Sequence, residues 1–250
     1  MKNLTARMTM LALVSALATS AMANLTSYSQ NFEGLGIGDP AALASDGWKV
    51  FANVWDPTHT TYLYGYGTFP APNGGGGFSA IATGEQGATQ GAQYLNVYSD
   101  YNNGDHGVGN IIEANVFQEQ TVGAADLGKT FNFTFDDKAS SLFGPDGATT
   151  TAAFIKVLDP TAGYSTVAYV PLDTTLASRT TWSNGNTLGI TIGNGWAGDI
   201  LQFGFVSNAT HYQNSGVYYD NISFAAVPEP ATLLILGAGV AAFARKRRRS

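Results

Sequence analysis

The chain has 250 residues, 44% of them hydrophobic and 12% charged, with 30 Gly, no Cys and a formal net charge of -6. Without thiols there are no disulfides, thiolate metal sites or Cys nucleophiles, and the sparse charge with abundant Gly suits a β protein better than a helical one. Residues 24–227 hold five basic residues against seventeen acidic ones, a net of -12, and so lack the clustered cations that nucleic-acid binding requires.

At the start, Lys2 and Arg7 precede the apolar run 8–18, and Ala21-Met22-Ala23 fits the small-x-small cleavage rule. Residues 1–23 therefore read as a secretion signal, handled by the Sec translocon and signal peptidase, with the mature chain beginning at Asn24.

From residue 24 to 226 apolar and polar residues alternate over short runs, and no stretch keeps a helical period for three turns. The pattern predicts strands over 26–33, 48–54, 61–66, 93–98, 111–122, 130–136, 152–158, 165–172, 188–192, 199–206 and 216–224. Gly, Asn, Asp and Pro clusters at 72–77, 102–105, 144–147 and 183–186 supply the turns. The expected fold is one all-β domain, a two-sheet antiparallel β-sandwich or jelly roll.

Tyr62, Tyr64 and Tyr66 alternate with Leu63, Gly65 and Gly67, which predicts three phenols on one strand face. Turned outward, they form a platform for sugar rings, extended by Trp48, Trp55 and Tyr101; turned inward, they pack between the sheets with hydroxyls at the rim. Both readings stay open at this point. Asp100 and Asp105, in the run from Ser99 to Asp105, offer oxygen ligands for Ca²⁺ or form an Asx-rich turn.

His59, His106 and His211 form no close sequence pair, and no catalytic motif occurs in its required context, so an enzyme is not expected. A glycan hydrolase or lyase stays as an alternative, because two facing carboxylates suffice. Glu113 and Glu119 share a strand face but stand about 20 Å apart, too far for that chemistry. That leaves Glu85 paired with either one.

At the C-terminus, Val227-Pro228-Glu229-Pro230 precedes the apolar run 231–244, and Arg245-Lys246-Arg247-Arg248-Arg249 follows it. The prolines keep a helix from continuing back into the body, and the cations resist translocation. The apolar run falls short of the roughly 20 residues that span hydrocarbon. This ordered combination resembles the PEP-CTERM sorting domain of Gram-negative bacteria that make exopolysaccharide.

The resemblance implies that residues 227–250 are a sorting signal with a short transmembrane helix, inserted transiently in the inner membrane. It also implies that Pro228, Glu229 and Pro230, preceded by Val227, are the box read by an exosortase. The tail is then removed and the protein passes to the cell surface.

Asn31-Phe32-Glu33 and the run from Tyr219 to Phe224 resemble the first and last strands of jelly-roll domains related to carbohydrate-binding modules. In many of those, acids near these two places share a structural Ca²⁺, which would make Glu33 and Asp220 candidate ligands. The function expected is that of an exported surface or biofilm-matrix protein that binds or embeds in exopolysaccharide. The alternatives are a structural or adhesion protein without sugar affinity and a glycan-active enzyme.

Overall fold

The computed structural model describes residues 24–74, 77–100, 103–212 and 216–228. The predicted secretion signal with Ala21 and Ala23, as well as Tyr101, Glu229, Pro230 and the predicted helix at 231–244, lie outside the described residues. Among the described residues no helix is long and apolar enough to cross a membrane.

In chain order the strands are β1 (Tyr28–Gln30), β2 (Lys49–Trp55), β3 (Tyr62–Pro70), β4 (Ser79–Thr83), β5 (Gln93–Val97) and β6 (Ile111–Thr121), then β7 (Thr130–Ala139), β8 (Thr149–Asp159), β9 (Ser165–Asp173), β10 (Ser183–Thr191), β11 (Ile200–Ala209) and β12 (Val217–Ala226). Short helical segments interrupt them, α1 (Ala42–Ser45) and α2 (Asn103–Gly107), with 3-10 turns at Ala124–Asp126 and Pro160–Ala162. Sheet I has the order β10-β7-β12-β5-β4, with β1 also pairing β12; sheet II has the order β3-β2-β6-β11-β8-β9. Every pairing is antiparallel. The fold is the expected all-β sandwich.

The core follows from period-two alternation. Phe131, Phe133 and Phe135 of β7 face Leu201, Phe203 and Phe205 of β11. Phe203 stacks on Phe224 with centroids 4.3 Å apart, and Phe205 stacks on Tyr219 at 3.6 Å. Burying such a ring contributes about 2 kcal/mol through the area removed from water. These contacts fix which face of each strand remains outside.

Two local patterns differ from expectation. Residues 183–186, read as a turn, form the bulged start of β10, and the five residues of β4, too short for a clear alternation, pair along β5 from Ser79↔Val97 to Thr83↔Gln93.

Candidate functional site

The outer face of sheet II is set by the residues that alternate with its core positions. Across β2, β6, β11 and β8 one row reads Lys49, Phe117, Gly204, Phe154, and the next reads Phe51, Asn115, Val206, Ala152. Phe117, Phe154 and Val206 are buried there as a cluster separate from the main core, with Phe51 and Ala152 packed against it. Gly204 permits the packing of this row, since a Cβ on it would sit 2.1 Å from the Val116 carbonyl oxygen and 2.6 Å from Phe117 Cα.

Polar residues flank this apolar belt. On one side lie Asn53, Glu113, Asn208 and Thr150, and on the other Glu119, Gln202, Lys156 and Tyr169. In a flat sheet Glu113 and Lys156 would be about 20 Å apart, farther than their side chains span. Their charged atoms meet at 3.7 Å, so the sheet curls toward this face and makes it concave.

Lys156 lies over Phe154 and Tyr169, 5.0 and 5.5 Å from the ring centroids. Burial pushes the Lys156 ammonium below its ordinary range, partly offset by the nearby Glu113 charge. Burial also lifts the Tyr169 phenol to about 12. Glu119 accepts from Lys49 Nζ at 2.8 Å and from Gln202 Nε2 at 2.9 Å. Among the described residues, three buried polar atoms on this face have no partner: Trp55 Nε1, Asn115 Oδ1 and Asn208 Oδ1. Buried polar groups are ordinarily hydrogen-bonded, so three orphans on one concave face mark a surface suited to a polar ligand.

The structure divides the predicted aromatic platform. A bulge between Val54 and Trp55 shifts the register, which breaks the single tyrosine stripe that alternation alone predicts. Tyr62 pairs with Trp55 on the outer face, their rings 5.5 Å apart, and lies across Gly65, whose Cβ would meet the Tyr62 hydroxyl at 2.8 Å. Tyr64 and Tyr66 instead lie opposite the core residues Val54 and Ala52. Tyr66 packs against the core, and both phenols donate to carboxylates, Tyr64 to Asp105 and Tyr66 to Asp100.

Trp48 is a second correction. Its ring is fully buried between the sheets, where its indole donates to the Tyr28 hydroxyl at 2.9 Å, so it presents no face to a sugar. Sequence reading also missed Asn208, Gln202 and Lys156 on the concave face. Lys156, a lone cation in an otherwise apolar strand, was the signal available.

Glu85 pairs with Lys138 at 2.6 Å on the outside of sheet I, whereas Glu113 and Glu119 line the outside of sheet II. The core lies between them, so the carboxylate pairs built on Glu85 do not form. The loop 84–92 crosses the outer face of sheet I. Within it Gln90 Nε2 donates to Asp136 and Asn184, and the Glu85 carbonyl accepts from Trp182 Nε1 at 2.8 Å. Tyr94 is buried against Tyr218 and Trp182, at 4.6 and 5.7 Å.

Glu33 and Asp220 lie near this face, close enough for the Glu33 charge to act on the Asp220 carboxyl. Glu33 Oε1 accepts from the amides of Ala92 and Gln93 at 2.7 and 2.6 Å. Asp220 is fully buried, with Oδ2 unpartnered. Burial, helped by the charges of Asp136 and Glu33, lifts its carboxyl to about 7. Among the described residues no group of three or more acidic or His side chains is placed to hold a metal.

Strand β12 ends at Ala226, its last residue paired with β7, opposite Phe131; Val227 still donates to the Thr130 carbonyl at 2.8 Å, and Pro228 is exposed. Residues 226–249 match the PEP-CTERM protein-sorting motif. The PEP-CTERM motif thus begins where sheet I releases the chain.

No curated protein matches the chain. Among solved structures it is similar to carbohydrate-binding modules from the β-sandwich superfamily, at 16% identity and TM-score 0.42, over 83% of this chain and 64% of that one. It is also similar to a family 16 carbohydrate-binding module, at 16% identity and TM-score 0.38, over 60% and 86% of the two chains. A cyclase from Fischerella sp. TAU gives 16% identity and TM-score 0.42, over 82% and 100%. At these scores the likeness carries no argument, and the fold rests on the strand pairing itself.

Proposed function

We propose that this is an exported surface or matrix protein, sorted through its PEP-CTERM motif and processed by an exosortase, whose sandwich binds extracellular polysaccharide on the concave face of sheet II. The sorting motif supports the export half of this reading. The binding half is carried by the unpartnered Trp55 Nε1 and Asn208 Oδ1 on that face. A sugar hydroxyl is donor and acceptor at once and satisfies both kinds of orphan, while the Trp55 and Tyr62 rings offer apolar faces to the sugar ring.

A binding assay of the protein against its producer's exopolysaccharide and a glycan array checks this. Retention of a polysaccharide that is lost in Trp55→Ala supports it, and no ligand retained at millimolar sugar contradicts it. Turnover of the polysaccharide in the same assay would favour a glycan-active enzyme.

A structural Ca²⁺ is the second part of the proposal. The orphaned Asp220 Oδ2 and the nearby Glu33 fit such an ion, with further oxygen ligands drawn from carbonyl groups. Bound there, it would tie the first strand region to the last. A chelator should then lower the melting temperature, and an unchanged value would remove the ion from the account.

A further inference from the structure

The floor of the concave face holds three groups, Glu113, Asn115 and Lys156, whose chemistry goes beyond binding. Glu113 Oε1 is their meeting point: it accepts from Asn115 Nδ2 at 3.1 Å and from Asn53 Nδ2 at 3.0 Å, and Lys156 Nζ stands 3.7 Å away. Asn115 is held still by two further bonds, from Nδ2 to the carbonyls of Phe51 and Glu113 at 3.2 and 3.0 Å. Its Oδ1 is buried and unpartnered. Phe117 and Phe154 wall the site and are almost completely buried.

At 3.7 Å the contact between Lys156 and Glu113 is longer than a hydrogen bond, and a buried ammonium so weakly paired is costly. The low-polarity surroundings favour the neutral amine, which is the nucleophilic form. An amine, a primary amide and a carboxylate in contact with both, enclosed by aromatic rings, are the components of an amide exchange.

We propose that Lys156 and Asn115 join in an intramolecular isopeptide cross-link, with Glu113 moving the proton. The neutral Lys156 Nζ attacks Asn115 Cγ and forms the new C–N bond. Glu113 takes a proton from Nζ and passes it to Nδ2. The Cγ–Nδ2 bond then breaks and ammonia leaves, giving a secondary amide with no oxidant or other reactant consumed. The link ties β6 to β8 across β11 in the middle of sheet II, a covalent brace in a chain that has no disulfide. It is independent of the polysaccharide reading.

Peptide mapping of the purified full-length protein by mass spectrometry tests it. Trypsin should fail to cut after Lys156, and a branched peptide should join the segments containing Asn115 and Lys156, lighter than their sum by one ammonia. Glu113→Gln, checked for native circular dichroism, should restore cleavage after Lys156 while Asn115 and Lys156 both remain. Lys156→Met gives an unlinked reference that keeps the side chain's apolar length. A folded wild-type protein that is cut fully after Lys156 and carries the mass of both intact side chains overturns the proposal. So does a cross-link that persists in folded Glu113→Gln.

Discussion

The outer faces of the two sheets are built from similar residues and are finished differently. On sheet I the loop 84–92 lies over Tyr94, Asp136 and Lys138 and engages all three, through the Glu85 amide, the Gln90 side-chain amide and the Glu85 carboxylate, leaving Asp220 Oδ2 as the unpartnered atom beside it. On sheet II the face curls into a concavity and leaves Trp55 Nε1, Asn115 Oδ1 and Asn208 Oδ1 unpaired. A face closed by its own loop has little left to offer a ligand, whereas buried polar atoms left unpaired cost stability unless something later engages them. Under the proposed function the first face is structural and the second is the one that binds.

The largest expected effect comes from closing the gap that shapes the second face. Gly204→Ala drives a Cβ into the β6 backbone and should cost about 3 kcal/mol, read as a lower midpoint in urea unfolding. An unchanged midpoint would mean that the Phe117–Gly204–Phe154 row is not tightly packed.

On the first face, Asp136 accepts from Gln90 Nε2 at 2.6 Å, Asn221 Nδ2 at 2.8 Å and the Gly185 amide at 2.8 Å. Asp136→Ala strands these donors and should cost about 2 kcal/mol with polysaccharide affinity unchanged. Lost affinity in a folded Asp136→Ala would break the division between the faces. Trp55→Ala should do the reverse, weakening polysaccharide binding about tenfold with a smaller loss of stability.

The smallest effect is a slope with pH. Burial, with the Asp136 charge as a lesser cause, lifts Asp220 to about 7 and Asp137 to about 6, from the ordinary aspartate value of 3.8. Between these limits the folded protein holds protons that the unfolded chain has released, so stability falls as pH rises from about 4 to about 7 and then levels off. Melts in chelator should show this decline, and Asp220→Asn should flatten its upper part. A melting temperature that rises across the same interval would contradict the placement of Asp220.

Alternation was enough to read the sandwich, because core positions such as Phe131, Phe133 and Phe135 recur with period two wherever a strand is half buried. The concave face was less legible. The bulge beside Trp55 reverses the side on which Tyr62 falls, and no residue pattern at 61–66 announces it. Trp48, expected to extend the aromatic platform, fills the core instead, since a large ring is as useful to packing as to stacking. The row of Asn208, Glu113 and Asn53 arises only when three strands distant in sequence come into register.

The four Trp residues allow the central claim to be read atom by atom. Indole N–H resonances, followed as the producer's polysaccharide is added, separate the two faces directly. Trp55 Nε1 has no partner, whereas Trp48 and Trp182 already donate to the Tyr28 hydroxyl and the Glu85 carbonyl. The Trp55 signal should shift on binding while those of Trp48 and Trp182 stay in place. A saturating titration that moves Trp182 and leaves Trp55 unchanged would put the ligand on the wrong face and contradict the account.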